Sequence, residues 1–444
     1  DGSRTYTLDA DFGEGTLINV TYDTVPDQLQ LIDQGEAFNF IWVAASDRGT
    51  IVKIDTETGA ILGEYRSAPL GRGLNPSRTT VDANGNVWAG NRNESSDGKG
   101  SIVHIGLEEN GQCVDRNGNG VIDTSSSLGD IKAWPNISGA DTNGGVSTAE
   151  DECIIHYVRT SGTNVRTVAI DGSNNVWVGG LGNRTHELYD ANGNAVVGSQ
   201  FNLGCGGYGG LVDGNGVLWS ASLSFNVLRY DPATSSGTCI SLGRTSYGLG
   251  LDTNGFIWHS NFSFDTIQKL SPGGAIAGIF PTGGASGDRG VAVTPADNNV
   301  WIANSFGNDV SRLDNLGNLL AVIPVGSQPT GVSVDAAGKV WVTNRVSDNV
   351  MRIDPATNTV DLTVSLGFGA RPYNYSDMTG SLLTAPPDSG TWRVVYDSGF
   401  VGAPWSEVSW NADMPGDSSI VVTVASSTDG VVFSTPVPVS NGAD

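Results

Sequence analysis

VDANGNVWAG (81–90), IDGSNNVWVG (170–179), VDGNGVLWSA (212–221), LDTNGFIWHS (251–260), VTPADNNVWIA (293–303) and VDAAGKVWVT (334–343) are six versions of one phrase. Each has an apolar-Asp pair or its equivalent, a turn rich in Gly and Asn, and an apolar-Trp pair. A seventh Trp phrase, FIWVAAS (40–46), lacks the first half. The tryptophans are Trp42, Trp88, Trp177, Trp219, Trp258, Trp301 and Trp341, spaced 46, 89, 42, 39, 43 and 40 residues apart. The long interval holds an insertion, residues 107–152, and without it the period is about 42 residues.

Outward from each Trp lies a second strand-like phrase, such as IVKID ending at Asp55, VLRYDP at Pro232, VSRLD at Asp314 and VMRIDP at Pro355. Most repeats add a third apolar run. A period of this length with about four short strands is one blade of a β-propeller, and seven Trp phrases predict seven blades. The Trp supplies a large rigid side chain to pack between blades. The aspartates that precede the Gly or Asn are turn formers, because Asp accepts hydrogen bonds from the backbone ahead and Gly or Asn tolerates positive φ.

The phrasing resembles the NHL, YVTN and streptogramin-lyase-like group of seven-bladed propellers over residues 37–379. The resemblance implies the fold. In the lyases it also implies a metal-assisted elimination by His and Glu on the channel face. Here only His104, His156, His186 and His259 occur, and VAAS, AGN, VGG, SAS, HSN, IAN and VTN follow the tryptophans with no Glu. The resemblance is therefore one of scaffold.

Blade one lacks its innermost strand, and GARPYNYSDMTG (369–380) resembles the inner-strand phrase of the last repeat, SQPTGVSVDAAG (327–338). Residues 371–378 are expected to supply the missing strand and close the ring, removing an open sheet edge. The flanks, 1–36 and 380–444, alternate like half-buried strands between Gly, Pro and Asp turns. Their FxxGTxxNV and WxxVxWxAxxP…SSxDG phrases resemble a bacterial extracellular β-sandwich module. The expectation is an all-β chain: a seven-bladed β-propeller (37–379) inserted into a discontinuous β-sandwich (1–36 with 380–444). The resemblance implies a further strand beyond the last turn. Either the chain stops short of it at Asp444 or a neighbouring molecule donates it.

Within the insertion, DRNGNGVID (115–123) sets oxygen ligands at alternate positions: Asp115, Asn117, Asn119, the Val121 carbonyl and Asp123, with Gly120 at the sharp turn. This matches an EF-hand-like or dockerin-like calcium loop. Ser126 stands where a bidentate Glu is usual, and Asp130, Glu150, Asp151 or Glu152 is left to close the shell. Ca2+ is the expected cofactor, with a structural role. Cys113 and Cys153 bracket the insertion and are expected to pair; Cys205 and Cys239 are left open, because a strand count puts them at opposite ends of blade four.

A binding face is expected where the inner strands begin, five residues before each turn Asp or its equivalent. There stand Ser77 (with Arg78 next to it), Arg166, Tyr208, Tyr247, Arg289 and Thr330, with Arg371 near the seventh place. Arg and Tyr gathered at a channel mouth suit a carboxylate, a sugar or a peptide.

Composition frames the rest. The 444 residues carry 61 Gly and a formal charge of −24. A pI near 4.3 argues against nucleic acid, and no stretch is apolar enough for a membrane span. The chain is Lys-poor, starts at Asp1 and reads as a mature secreted form. These features predict an extracellular or cell-surface, calcium-stabilised, non-enzymatic protein. It would serve binding, adhesion or assembly of a filamentous structure, with a protein or glycan partner and self-association through the sandwich edge. The alternative is a lyase-like or carbohydrate-active enzyme with its site at the channel mouth.

Overall fold

A computed structural model describes residues 3–18, 20–22, 25–31, 38–135, 145–380, 390–400, 402–404, 407–414, 418–428, 430 and 433–442. The chain forms two compact units, residues 1–31 with 389–444, and residues 32–388.

The larger unit is a seven-bladed propeller. Six blades are four-stranded antiparallel sheets in meander order. Blade seven is typical, with strands Pro329–Val334, Val340–Asn344, Asn349–Asp354 and Thr359–Ser365. Its first two strands are buried throughout, the third in part, and the fourth is largely exposed. That gradient follows the sequence, since only the inner strands are apolar on both faces.

All seven tryptophans sit on second strands and are fully buried. The turn aspartates act as expected: Asp213 Oδ1 accepts the N–H groups of Asn215 and Val217, at 2.9 and 3.1 Å. Their other oxygen has a second use. Asp213, Asp252 and Asp335 accept the indole N–H of Trp219, Trp258 and Trp341 at 2.8, 3.0 and 2.7 Å. One carboxylate thus pins both the turn and the core tryptophan.

A latch between blades is built from the Lys or Arg that IVKID, VLRYDP, VSRLD and VMRIDP share, a role the repeat alone does not show. The residue paired with each Trp on the third strand is Lys53, Arg229, Lys269, Arg312 or Arg352 in five blades. Each cation lies over its Trp ring. Four of them donate to a backbone carbonyl in the next blade: Arg229 to Pro272, Lys269 to Asn315, Arg312 to Pro355 and Arg352 to Thr56. Lys53 instead pairs with Glu109. Blades two and three have His104 and Leu188 at this position.

Ring closure follows expectation in place but not in regularity. Among the described residues blade one has three strands in its ladder, Phe40–Ala45, Thr50–Asp55 and Ile61–Arg66. Residues 370–379 occupy the inner position. Trp42 N–H donates to the Met378 carbonyl at 2.9 Å and Asp47 N–H to Ala370 at 3.3 Å. Thr79 Oγ1 donates to the Asp377 carbonyl at 2.7 Å, and Thr343 Oγ1 to that of Asn374 at 3.0 Å. Side-chain hydroxyls of the two neighbouring blades replace a ladder, and Pro372 lacks an N–H to offer one.

The insertion leaves blade two between its third strand, Gly100–Ile105, and its fourth, Ile154–Thr160. Both disulfides form: Cys113–Cys153, and Cys205–Cys239, the pair left open from the sequence. The strand count misled for the second pair because Cys205 lies in the link between blades. That link runs across the outer strand of blade four, where Cys239 Sγ contacts the Leu203 carbonyl.

In the smaller unit the two flanks join directly: Thr16–Ile18 pairs antiparallel with Thr391–Arg393. Trp392 packs edge-on to Tyr6 and Phe12. The described residues there form three two-stranded ladders.

Candidate functional site

Of the eight channel-mouth residues, Arg78, Arg166, Tyr208, Tyr247 and Arg289 converge. Arg78 lies over the Tyr375 ring and within 5.1 Å of the Tyr208 ring centre, and Arg166 stands 5.0 Å from Tyr208. Arg289 donates to the hydroxyls of Tyr247 and Tyr373, both at 2.6 Å. The Tyr373 hydroxyl also bonds those of Tyr208 and Tyr247. Arg371 does not join them: its backbone turns left-handed, φ 46°, and its N–H donates to Asp348 at 2.7 Å. Thr330 faces Thr343 and the Pro372 carbonyl.

Tyr373 and Tyr375 were missed from the sequence, although a signal existed. Asp377 aligns with the turn aspartates, so Tyr373 falls four residues before it. The same position holds Arg78 in blade two but Gly209, Gly248, Gly290 and Gly331 in blades four to seven. The absent side chains let neighbouring inner strands approach closely: an added Cβ would meet the Tyr247 carbonyl at Gly209, the Arg289 carbonyl at Gly248 and the Gly331 Cα at Gly290.

The electrostatics of this cluster are unbalanced. Arg78 is fully buried, and its Nε and Nη2 have no hydrogen-bond partner. Arg166 Nε, Arg289 Nε and the Tyr375 hydroxyl are likewise unmet. Among the described residues no carboxylate pairs with Arg78, Arg166 or Arg289. Burial, reinforced by Arg166, pulls the Arg78 pKa well down. A guanidinium keeps its proton all the same, so the strain is an unmet need for an anion. Burial would raise the Tyr373 pKa, but Arg289 and the neighbouring hydroxyls outweigh it and bring it to about 8. Burial and the Tyr373 charge push Tyr208 up to about 12.

The candidate calcium loop is ordered by its own side chains. Asp115 accepts the N–H groups of Gly118 and Gly120 at 2.7 and 2.9 Å. Asn117 and Asn119 both donate to Asp123 Oδ2, at 2.7 and 2.9 Å. Of the four acids considered for closing the shell, Glu152 reaches the loop. Buried, it accepts the N–H groups of Arg116, Asn117 and Asp123. Asp130 stands apart, bonded to Ser126 and Lys132. The loop offers two carboxylates, two amide oxygens and the Val121 carbonyl, a donor set that suits a hard cation. Among the described residues no three or more His, Cys, Asp or Glu gather as a metal site.

The histidines lie elsewhere. His104 stacks on Trp88 with ring centres 3.8 Å apart and bonds Asp82. His186 and His259 are fully buried, and burial lowers both to a pKa of about 4.

No family model and no curated protein matches this chain. Solved structures do. A candidate 6-phosphogluconolactonase from Bacteroides uniformis aligns at TM-score 0.53 and 13% identity, over 81% of this chain and 100% of its own. A Lactobacillus plantarum protein aligns at 0.52 and 16%, over 76% and 98%. The virginiamycin B lyase of Staphylococcus aureus aligns at 0.50 and 16%, over 72% and 95%. At these identities the likeness is one of fold, the seven-bladed propeller. Two disulfides mark the chain, and among the described residues no helix is long and apolar enough to cross a membrane.

Proposed function

We propose that this is a secreted, calcium-stabilised, non-enzymatic binding protein of the cell surface, whose ligand enters the propeller channel. The carrying observation is the buried Arg78 guanidinium, clustered with Arg166 and Arg289 in a protein of net charge −24. Its Nη1 donates to the Ser77 carbonyl, but Nε and Nη2 are unmet, and among the described residues no carboxylate pairs with it. A buried cation without a counter-charge is costly, and a ligand anion removes that cost. Two disulfides support an oxidising compartment, and assembly through the smaller unit is a second proposed role. Catalysis at the same mouth is the second reading; one observation favours it, the Tyr373 hydroxyl held by Arg289 with its pKa brought down to about 8.

Thermal unfolding against acetate, citrate, phosphate and sulfate at constant ionic strength tests the binding reading. A saturable rise in Tm is expected with at least one anion, and Arg166→Gln should remove it. No rise with any anion overturns the reading.

A further inference from the structure

The mouth carries a second kind of surface beside the cations. Phe262, in the turn after the second strand of blade five, stacks on Tyr247 with ring centres 5.0 Å apart and planes 17° from parallel. Arg289 stands 4.9 Å from the same ring. Phe306, in the corresponding turn of blade six, meets Phe262 edge-on at 5.9 Å and is 56% exposed. Cation, phenol and exposed phenyl ring are therefore continuous from the buried Arg78 to solvent.

We propose that this surface binds an acidic sugar, a uronate at or near the end of a glycan chain. The inference rests on the reading of the channel as a ligand site. The carboxylate would meet the unpaired N–H groups of Arg78 and Arg166, which a planar carboxylate matches in geometry. The sugar ring would lie against Phe262 and Phe306, which offer flat apolar faces at low entropic cost.

A peptide fits less well. An extended peptide binds by adding to a free strand edge. Here the inner-strand carbonyls already accept hydroxyls from the preceding blade: Pro76 from Ser46, Gly209 from Thr167, Arg289 from Ser260 and Pro329 from Ser305. The net charge of −24 also repels a long polyanion laid across the outer surface. A short acidic segment entering the channel avoids most of that repulsion.

Titration calorimetry of the full chain with trigalacturonate, a neutral galactose trimer and hexaglutamate tests this. Trigalacturonate is expected to bind and the neutral trimer not. Phe306→Ala, at an exposed site, should weaken binding about tenfold with Tm unchanged. Arg289→Gln should abolish it. If that variant does not fold, Phe306→Ala alone decides. Equal binding of the neutral trimer, tighter binding of hexaglutamate, or an unchanged affinity in Phe306→Ala overturns the acidic-sugar assignment while the channel remains a ligand site. If no probe binds but inorganic oxyanions raise Tm, the sugar inference falls alone; if neither occurs, both readings fall.

Discussion

Arg312 lies over Trp301, its guanidinium carbon 4.9 Å from the ring centre, and from there it reaches out of its own blade. It donates to Asn358 of blade seven at 2.8 Å and to the Pro355 carbonyl, while Asp297 closes a salt bridge at 2.7 Å. One side chain thus covers the core tryptophan of blade six and ties that blade to the next. Adjacent blades otherwise meet mainly through apolar packing, so such a tie acts where the ring is weakest. Arg312→Ala is expected to lower stability by about 1–3 kcal/mol, the scale of a desolvated cation–π contact with charged hydrogen bonds. Arg312→Lys should recover only part, since a point charge cannot serve three acceptors in one plane. Thermal unfolding of the two variants checks both statements; equal Tm values for wild type and Arg312→Ala would remove the latch.

The closing segment yields a sharper test. Gly331 faces the carbonyl of Asn374 so closely that an alanine Cβ would overlap it. Gly331→Ala must therefore displace residues 370–379, which no ladder holds in place. A loss of about 3 kcal/mol or more is expected, from overpacking of a buried contact. Hydrogen exchange should show the loss concentrated at Trp42 N–H, whose acceptor is the Met378 carbonyl. Uniform loss over all seven blades would mean the closure is not a separate weak point.

These two cases show what the sequence revealed and what it hid. The tryptophans were legible because every blade must repeat them, and the turn aspartates because their bonds are local, two and four residues ahead. The bond from Asp213 to Trp219 was not, since six residues in sequence become a contact only when the hairpin folds. The latch cations stand at one repeated place, two residues before the Asp of IVKID, VLRYDP, VSRLD and VMRIDP, so the position was legible; its role was not, because each cation acts on another strand and another blade. In the candidate site, Arg166, Tyr208, Tyr247 and Arg289 came from counting back along regular inner strands, while in blade two the count fell on Ser77 and Arg78 was found beside it. Counting failed for Arg371 because the closing segment is irregular, and Tyr373 and Tyr375 do its work.

Asp288 gives a pH test with a defined sign. It is fully buried, with Thr282 donating to one oxygen at 3.1 Å and nothing meeting the other. Burial first, then the charges of Asp265 and Asp309, push its pKa up to about 8, from 3.8. The folded state therefore holds a proton that the unfolded state releases. The stability this group contributes is complete below pH 3.8 and is lost as pH rises through about 8. Asp288→Asn keeps a neutral acceptor for Thr282. Its Tm is expected to exceed wild type at pH 9, with the gap shrinking towards pH 5. His156, His186 and His259, lowered by burial to about 4, act oppositely and lose stability as pH falls below 6.5. They are common to both proteins and cancel in the difference. A constant Tm difference across this range would show that Asp288 does not titrate there.

The calcium proposal turns on residues 115–123. Their backbone is already coiled around Asp115, with Gly118 and Gly120 at positive φ, 72° and 85°. Asn117 and Asn119 spend their amide groups on Asp123, an arrangement that a cation would reverse by drawing the amide oxygens inward. Glu152 fixes the loop from behind, and Cys113–Cys153 closes the chain beside it. Calcium is therefore expected to bind a largely formed loop, raise Tm, and add about 2.7 kcal/mol at a hundredfold excess over its Kd. Magnesium should do much less, because it demands a tighter octahedral shell. Asp115→Ala and Asp123→Ala should abolish the calcium response, whereas Asp130→Ala should leave it intact, since that carboxylate is bonded to Ser126 and Lys132. Loss of the response in Asp130→Ala would mean that the segment rearranges to complete the shell. No Tm change on adding calcium or chelator would leave the loop a turn held by its own side chains.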